Sequence, residues 1–155
     1  MAKRVDLSGR NLMADALSLT FKLITPTGSL FEGQVQEVTA VNPMGEFGVL
    51  PEHINYITAV VPCVVTVKLA GGDFRFFVVS GGLVEVKDGV MTLLAPTAQQ
   101  PGELADSDIV SKDMLTAEEK MAQISFYEPG YDQAMRELQL ARARERGVRL
   151  RQPPS

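Results

Sequence analysis

Apolar and polar positions alternate with a period of two up to about residue 100, and with a helical period beyond it. Leu17, Leu19, Phe21 and Leu23 are separated by single polar residues, the signature of a half-buried strand. Val35 to Val41 reads as a second strand, and another opens at Ile54. Cys63, Val65, Val67 and Leu69 alternate with Val64, Thr66 and Lys68. Gly71-Gly72-Asp73 then turns the chain into Phe74 to Ser80. Gly81-Gly82 precedes Leu83 to Val86, and Lys87-Asp88-Gly89 turns into Val90 to Leu94. Short strands joined by glycine-bearing turns predict an antiparallel sandwich or barrel. The run Phe74 to Val79 is apolar on both faces, which predicts a position between two sheets.

The period changes between Pro96 and Gly102. Val110, Met114, Ala117, Met121 and Ile124 then fall on one helical stripe. Pro129-Gly130 breaks that helix, and Ala134, Leu138 and Ala141 mark a second one. Gly147 is the expected stop, with Pro153-Pro154 forbidding continuation. The two helices predict an antiparallel hairpin, and their thin stripes of alanine and methionine predict one that detaches at modest cost. The expected organisation is an N-terminal extension over 1–16, a β-sandwich over 17–98, a helical hairpin over 103–147 and a tail over 148–155. The fold class is α+β.

Composition narrows the function. A chain of 155 residues with 45% apolar and 22% charged content is ordinary for one soluble globular domain with an appendage. A net charge of -4 leaves no basic excess to neutralise phosphates, which argues against nucleic-acid binding. The single cysteine excludes an internal disulfide framework and fits a reducing compartment. No apolar run approaches the ~20 residues that span a bilayer. Residues 1–18 carry Lys3, Arg4 and Arg10 without the apolar centre of a signal peptide, so they read as an extension or a transit-like segment, against which Asp6 and Asp15 count.

Candidate chemistry concentrates in Gly45-Glu-Phe-Gly-Val-Leu-Pro-Glu-His53, which holds the only histidine of the chain. Turn-forming and polar residues this dense predict a shaped loop, and such loops on rigid sheets carry function. No catalytic set completes it. His53 has no second histidine for a metal, Cys63 lies in a strand pattern as a buried thiol would, and no phosphate-cradling loop is present. Glu46 and Glu52 flank the loop as exposed charges rather than as an acid/base pair. From Ala134 to Arg151 six arginines face two glutamates, a local excess of four positive charges. They read either as a solvated helix face or as a patch for an acidic protein partner.

The fragments Leu23-Ile-Thr-Pro26, Phe31-Glu-Gly33, Gly45 to His53, Val79-Ser-Gly-Gly-Leu-Val-Glu-Val86 and Val90-Met-Thr-Leu-Leu-Ala95 occur in a fixed order. In that order, from about Leu17 onward, the chain resembles the epsilon subunits of the F-type, proton-translocating ATP synthase. The resemblance implies a β-sandwich of about ten strands followed by a helical hairpin. It implies a rotor part rather than a catalyst, and no cofactor. The sandwich would bind the side of the gamma subunit and stand on the ring of c subunits. Glu46 would meet the c-ring, and His53, Thr25 and Ser80 would lie toward gamma. The hairpin would fold on the sandwich, or extend into the catalytic head of alpha and beta subunits and hinder ATP hydrolysis. Arg142, Arg144 and Arg146 would then meet acidic segments of the beta subunits. Association with the membrane would come through the complex alone. The implied location is the cytoplasmic face of a bacterial plasma membrane, or the equivalent face of an energy-transducing organelle membrane.

The chain departs from the family at several positions. Some members bind ATP through an Ile/Leu-Asp-x-x-Arg-Ala motif, and Ile109 stands here where the arginine belongs, although Asp106 is kept. Glu52, Asn55 and Tyr56 fall where glycine and an Ala-Pro pair are common, Cys63 where glycine is usual, and Pro96 replaces a frequent aspartate. The first 16 residues have no counterpart, and translation from Met13 would remove most of them. The competing reading is a free-standing β-sandwich ligand-binding module with a helical appendage. It would need a concave, aromatic-lined site, for which no tryptophan and three tyrosines are a poor supply.

Overall fold

The structure, a computed structural model, describes residues 18–151. The expected extension over 1–16, the Met13 start and Pro153-Pro154 lie outside them. Nine strands come first: β1 (Leu19–Thr25), β2 (Gly28–Asn42), β3 (Gly45–Val49), β4 (Tyr56–Val60), β5 (Cys63–Leu69), β6 (Phe74–Val79), β7 (Gly82–Lys87), β8 (Val90–Leu94) and β9 (Ala98–Gln99). A short 3-10 turn over Pro101–Glu103 leads to α1 (Ser107–Gln123) and α2 (Tyr131–Leu150).

The strands form one hydrogen-bonded path, β4-β7-β8-β1-β2-β5-β6-β9, with β3 also on β2. The long strand β2 pairs with β1 through its first half and with β5 and β3 through its second, with an irregularity between Val35 and Glu37. That break in register lets one strand serve both layers of the sandwich. The pairings are antiparallel apart from β1 with β8, which run parallel from Thr20↔Val90 to Ile24↔Leu94.

Alternation places one face of each layer inside. Leu19, Phe21, Leu23, Val38, Val65, Val67, Phe77, Met91 and Leu93 are fully buried in a common core. Phe31 bridges Phe21 and Phe77, with ring centroids 5.7 and 6.0 Å apart. Such ring pairs add about 0.5–1.5 kcal/mol each beyond their buried area. At Gly82 (φ 152°) a β-carbon would stand 2.2 Å from the Leu94 carbonyl oxygen, so only glycine lets β7 start this close to β8.

Two sequence expectations need correction. The Phe74–Val79 strand does not lie between two sheets. Phe77 and Val79 face the sandwich core, while Phe76 and Val78 join Val64, Leu104, Val110, Ala143 and Val148 in a second cluster under α2. The apolar outer face is covered by a helix. Nor does α2 stop at Gly147; it runs on to Leu150, through the start of the expected tail. Gly147 is a close-approach residue instead. A β-carbon there would meet Leu104 Cδ1 and Val78 Cγ2 at 2.7 Å each, so the absent side chain lets the helix sit down on the sheet.

The hairpin expectation holds. Ala117, Leu138 and Ala141 pack α1 on α2 with Met114 and Met121 alongside. Lys120 Nζ donates to Glu137 Oε2 at 2.9 Å across the two helices, and this bond draws the Glu137 carboxyl below its ordinary range. Within the hairpin, α2 is the layer on the sandwich, and α1 reaches the second cluster through Val110.

Candidate docking surfaces and hairpin interface

The segment from Gly45 to His53 divides in two. Gly45–Val49 is β3, in register with β2 from Asn42↔Gly45 to Val38↔Val49. The predicted loop is thus half strand, because Phe47 and Val49 alternate inward onto the core while Glu46 and Gly48 point outward. Asn42 shapes the β2–β3 turn by accepting a hydrogen bond from the Met44 backbone N–H at 2.8 Å. This puts Met44 at the tip, 94% exposed.

The true loop is 50–55. His53 N–H donates to the Leu50 carbonyl at 3.1 Å, and its Nδ1 lies 2.9 Å from the Ile54 carbonyl oxygen. A carbonyl can only accept, so Nδ1 is the donor in this contact. The imidazole packs on Tyr56 at 5.9 Å between centroids, and Tyr56 on Phe47 at 6.1 Å. Tyr56 OH in turn accepts from Asn42 Nδ2 at 3.2 Å. His53 is therefore a positioned residue of a small aromatic cluster. Glu52 holds a left-handed backbone (φ 66°), a conformation unfavourable for any residue but glycine. Met44, Leu50 and Ile54 remain exposed around this end.

Thr25 and Ser80 lie elsewhere. Thr25 Oγ1 donates to the Gly28 carbonyl at 3.2 Å in the β1–β2 turn. Ser80 Oγ accepts from the Thr97 N–H at 3.1 Å, pinning the end of β6 to the chain entering β9. Neither has a described bond to Glu46 or His53. Thr25 instead lines an apolar depression of ≈ 440 Å³ with Ile24, Pro26, Leu94, Ala95 and Pro96.

That depression belongs to a surface the sequence reading missed. Ala59 pairs with Leu83, Leu83 with Leu94, and Leu94 with Ile24. These four residues form an apolar row across β4, β7, β8 and β1, with Leu83 and Leu94 half exposed and Ile57 beside them on β4. A row of aliphatic side chains on the outside of a sheet is the kind of surface that another protein covers. The available signal was the doublets Leu83-Val84 and Leu93-Leu94, where one member must point away from the core.

With the hairpin docked, the three candidate arginines line two different grooves. Arg142 and Arg146, four residues apart, line a ≈ 250 Å³ groove between α2 and the sandwich, with Cys63 among the lining residues. Arg144 lies in a separate groove between the helices, beside Asp113, Lys120 and Glu137. Arg149 pairs with Glu145, and Arg151 Nη1 donates to the Leu104 carbonyl at 2.9 Å, tying the end of α2 to the linker. Burial pushes the Cys63 thiol up, against the opposing effects of a hydrogen bond at the Val41 backbone and of Arg146. Asp106 stands at the N-cap position of α1 without a side-chain capping bond, and Ile109 is exposed on the first turn. Among the described residues no group of acids, histidine and cysteine converges as a metal site would, and no helix is long and apolar enough to cross a membrane.

Residues 18–101, more than half of the chain, match the family described as the ATP synthase delta/epsilon chain β-sandwich domain. The chain belongs to that family. It is also 33% identical over 99 residues to the ATP synthase epsilon chain of an Exiguobacterium species, covering 64% of this chain and 72% of the relative. The delta/epsilon assignment makes it a rotor-stalk subunit of an ATP synthase complex. A chain from the Euglena gracilis mitochondrial ATP synthase, solved with OSCP, F1 and c-ring, shares the fold with a TM-score of 0.72 at 22% identity. That match covers 85% of this chain and 82% of the other, so it extends past the sandwich into the helices. A chain from the Tetrahymena thermophila mitochondrial ATP synthase central stalk and c-ring gives a TM-score of 0.54 at 16% identity, over 82% of this chain and 96% of the other.

Proposed function

We propose that this chain couples the gamma subunit to the c-ring in the central stalk of a proton-translocating ATP synthase, without a catalytic site of its own. The observation that carries the reading is the family match over the whole sandwich, 18–101. The apolar row formed by Ala59, Leu83, Leu94 and Ile24 supplies a gamma-facing surface, and Thr25 lies at its edge. The end built by the β2–β3 turn and loop 50–55 supplies a c-ring-facing surface, with Glu46, Met44 and Ile54 outward. His53, held by Tyr56, leaves its Nε2 edge for a contact with either partner.

A dense β-core suits this duty because closely packed side chains transmit displacement with little deformation. The hairpin acts as a brake on ATP hydrolysis. It is held on the sandwich by one small cluster, and α1 is joined to α2 largely through alanine and methionine. Once released, Arg142, Arg144 and Arg146 become available to acidic segments of the beta subunits, with the alpha subunits alongside. Membrane association follows from the complex, on the face that carries its soluble head. The ligand-module alternative has little support, since the depression at Thr25 is lined by aliphatic and proline residues without a charged group.

Co-purification with a gamma subunit tests the reading. Binding at about micromolar concentration is expected, and Leu83→Asp should weaken it at least tenfold without unfolding the sandwich. Retention of full binding by that variant would remove the apolar row from the interface. No binding by the wild type would overturn the coupling role.

A further inference from the structure

Glu46 and Arg146 come from opposite parts of the molecule and line one small pocket. Its volume is ≈ 210 Å³, and Thr39, Thr66, Val41 and Val64 complete most of its wall. Glu46 stands opposite Val41 in the β2–β3 register, and its neighbours Phe47 and Val49 pack on the core. Its carboxylate therefore lies on the outer face of the sandwich. Arg146 reaches that face from α2, which sits on the outside of β5 and β6 through Val64, Val78 and Phe76. Among the lining residues Glu46 is the acid and Arg146 the base. They make no direct ion pair with each other and none with any other group among the described residues, so any attraction between them acts across the pocket.

We propose that Glu46 and Arg146 form an electrostatic latch through which the end of the sandwich holds the docked hairpin, and that a cationic partner group engaging Glu46 releases it. The release half rests on the reading that the Glu46 end of the sandwich meets the c-ring. Both groups are exposed, so the latch is weak, screened by salt, and suited to being exchanged rather than to holding the fold. Linkage makes the exchange reciprocal: whatever occupies Glu46 loosens α2, and whatever draws off Arg146 frees Glu46 for a partner.

Amide hydrogen exchange across residues 139–148 of the full chain decides it, in the wild type, Glu46→Gln, Arg146→Gln, the double variant and the charge swap Glu46→Arg with Arg146→Glu. Each single variant should exchange about threefold faster at low salt, the size expected of an exposed pair. The double variant should be no faster than one single, the swap should regain protection, and the differences should vanish near ~1 M salt. Additive single effects, or an unchanged Glu46→Gln, would overturn the latch. Adding purified c-ring should speed exchange of α2 in the wild type and leave Glu46→Gln unaffected. A c-ring that fails to bind removes the sandwich-end reading and the release half with it, while the variant cycle still decides the latch.

Discussion

At the scale of single residues, two positions take their roles from backbone geometry. Glu52 carries a side chain in a left-handed conformation at φ 66°, where a β-carbon crowds the following carbonyl. Glu52→Gly should stabilise the chain by about 1 kcal/mol, read as a raised midpoint in denaturant; an unchanged or lowered midpoint contradicts a strained loop. Gly147 is the converse. Its missing side chain admits Leu104 and Val78, so Gly147→Val overpacks the interface at a cost of about 1–3 kcal/mol. Limited proteolysis should then cut the hairpin faster while the sandwich keeps its melting temperature. A glycine in a cationic helical run is an ordinary stop signal, and nothing local separates a stop from a site of close approach. Only the sheet beneath, through Val78, makes that distinction. Glu46, by contrast, was legible as a candidate because it sits among turn formers, whereas its facing Arg146 is distant in sequence and depends on the docking of α2.

At the scale of elements, the strands were the most legible part, since Leu19, Phe21 and Leu23 or Val65 and Val67 alternate as their burial does. Less was legible where an element has two apolar faces. Phe74 to Val79 announces double burial, but the sequence does not say whether a sheet or a helix covers the second face. The outward row at Leu83 and Leu94 was hidden for the same reason. The hairpin has its own pH dependence. Glu137 is held below its ordinary range by the Lys120 hydrogen bond, so its contribution is present above the unfolded carboxylate pKa and is lost as pH falls through the depressed folded value. Acidification below about pH 4.5 should therefore loosen α1 from α2 before the sandwich unfolds. Glu137→Gln should abolish that step in a helix-specific exchange measurement, and a pH profile identical in the two proteins contradicts the assignment.

At the scale of the whole molecule, a densely packed sandwich, with two regions proposed for docking, is joined to a hairpin held by one modest cluster. Local unfolding free energies follow buried contact, so α1 and α2 should be the first elements to open. Truncation after Gln100 should leave gamma binding intact and raise ATP hydrolysis by the soluble catalytic complex; unchanged hydrolysis removes the brake and leaves coupling standing. Coupling itself is tested most directly by ATP-driven proton pumping in vesicles, comparing the reassembled synthase with and without this chain. Hydrolysis without pumping in its absence, and restored pumping on its addition, is the predicted result. Equal pumping by both assemblies would contradict the account.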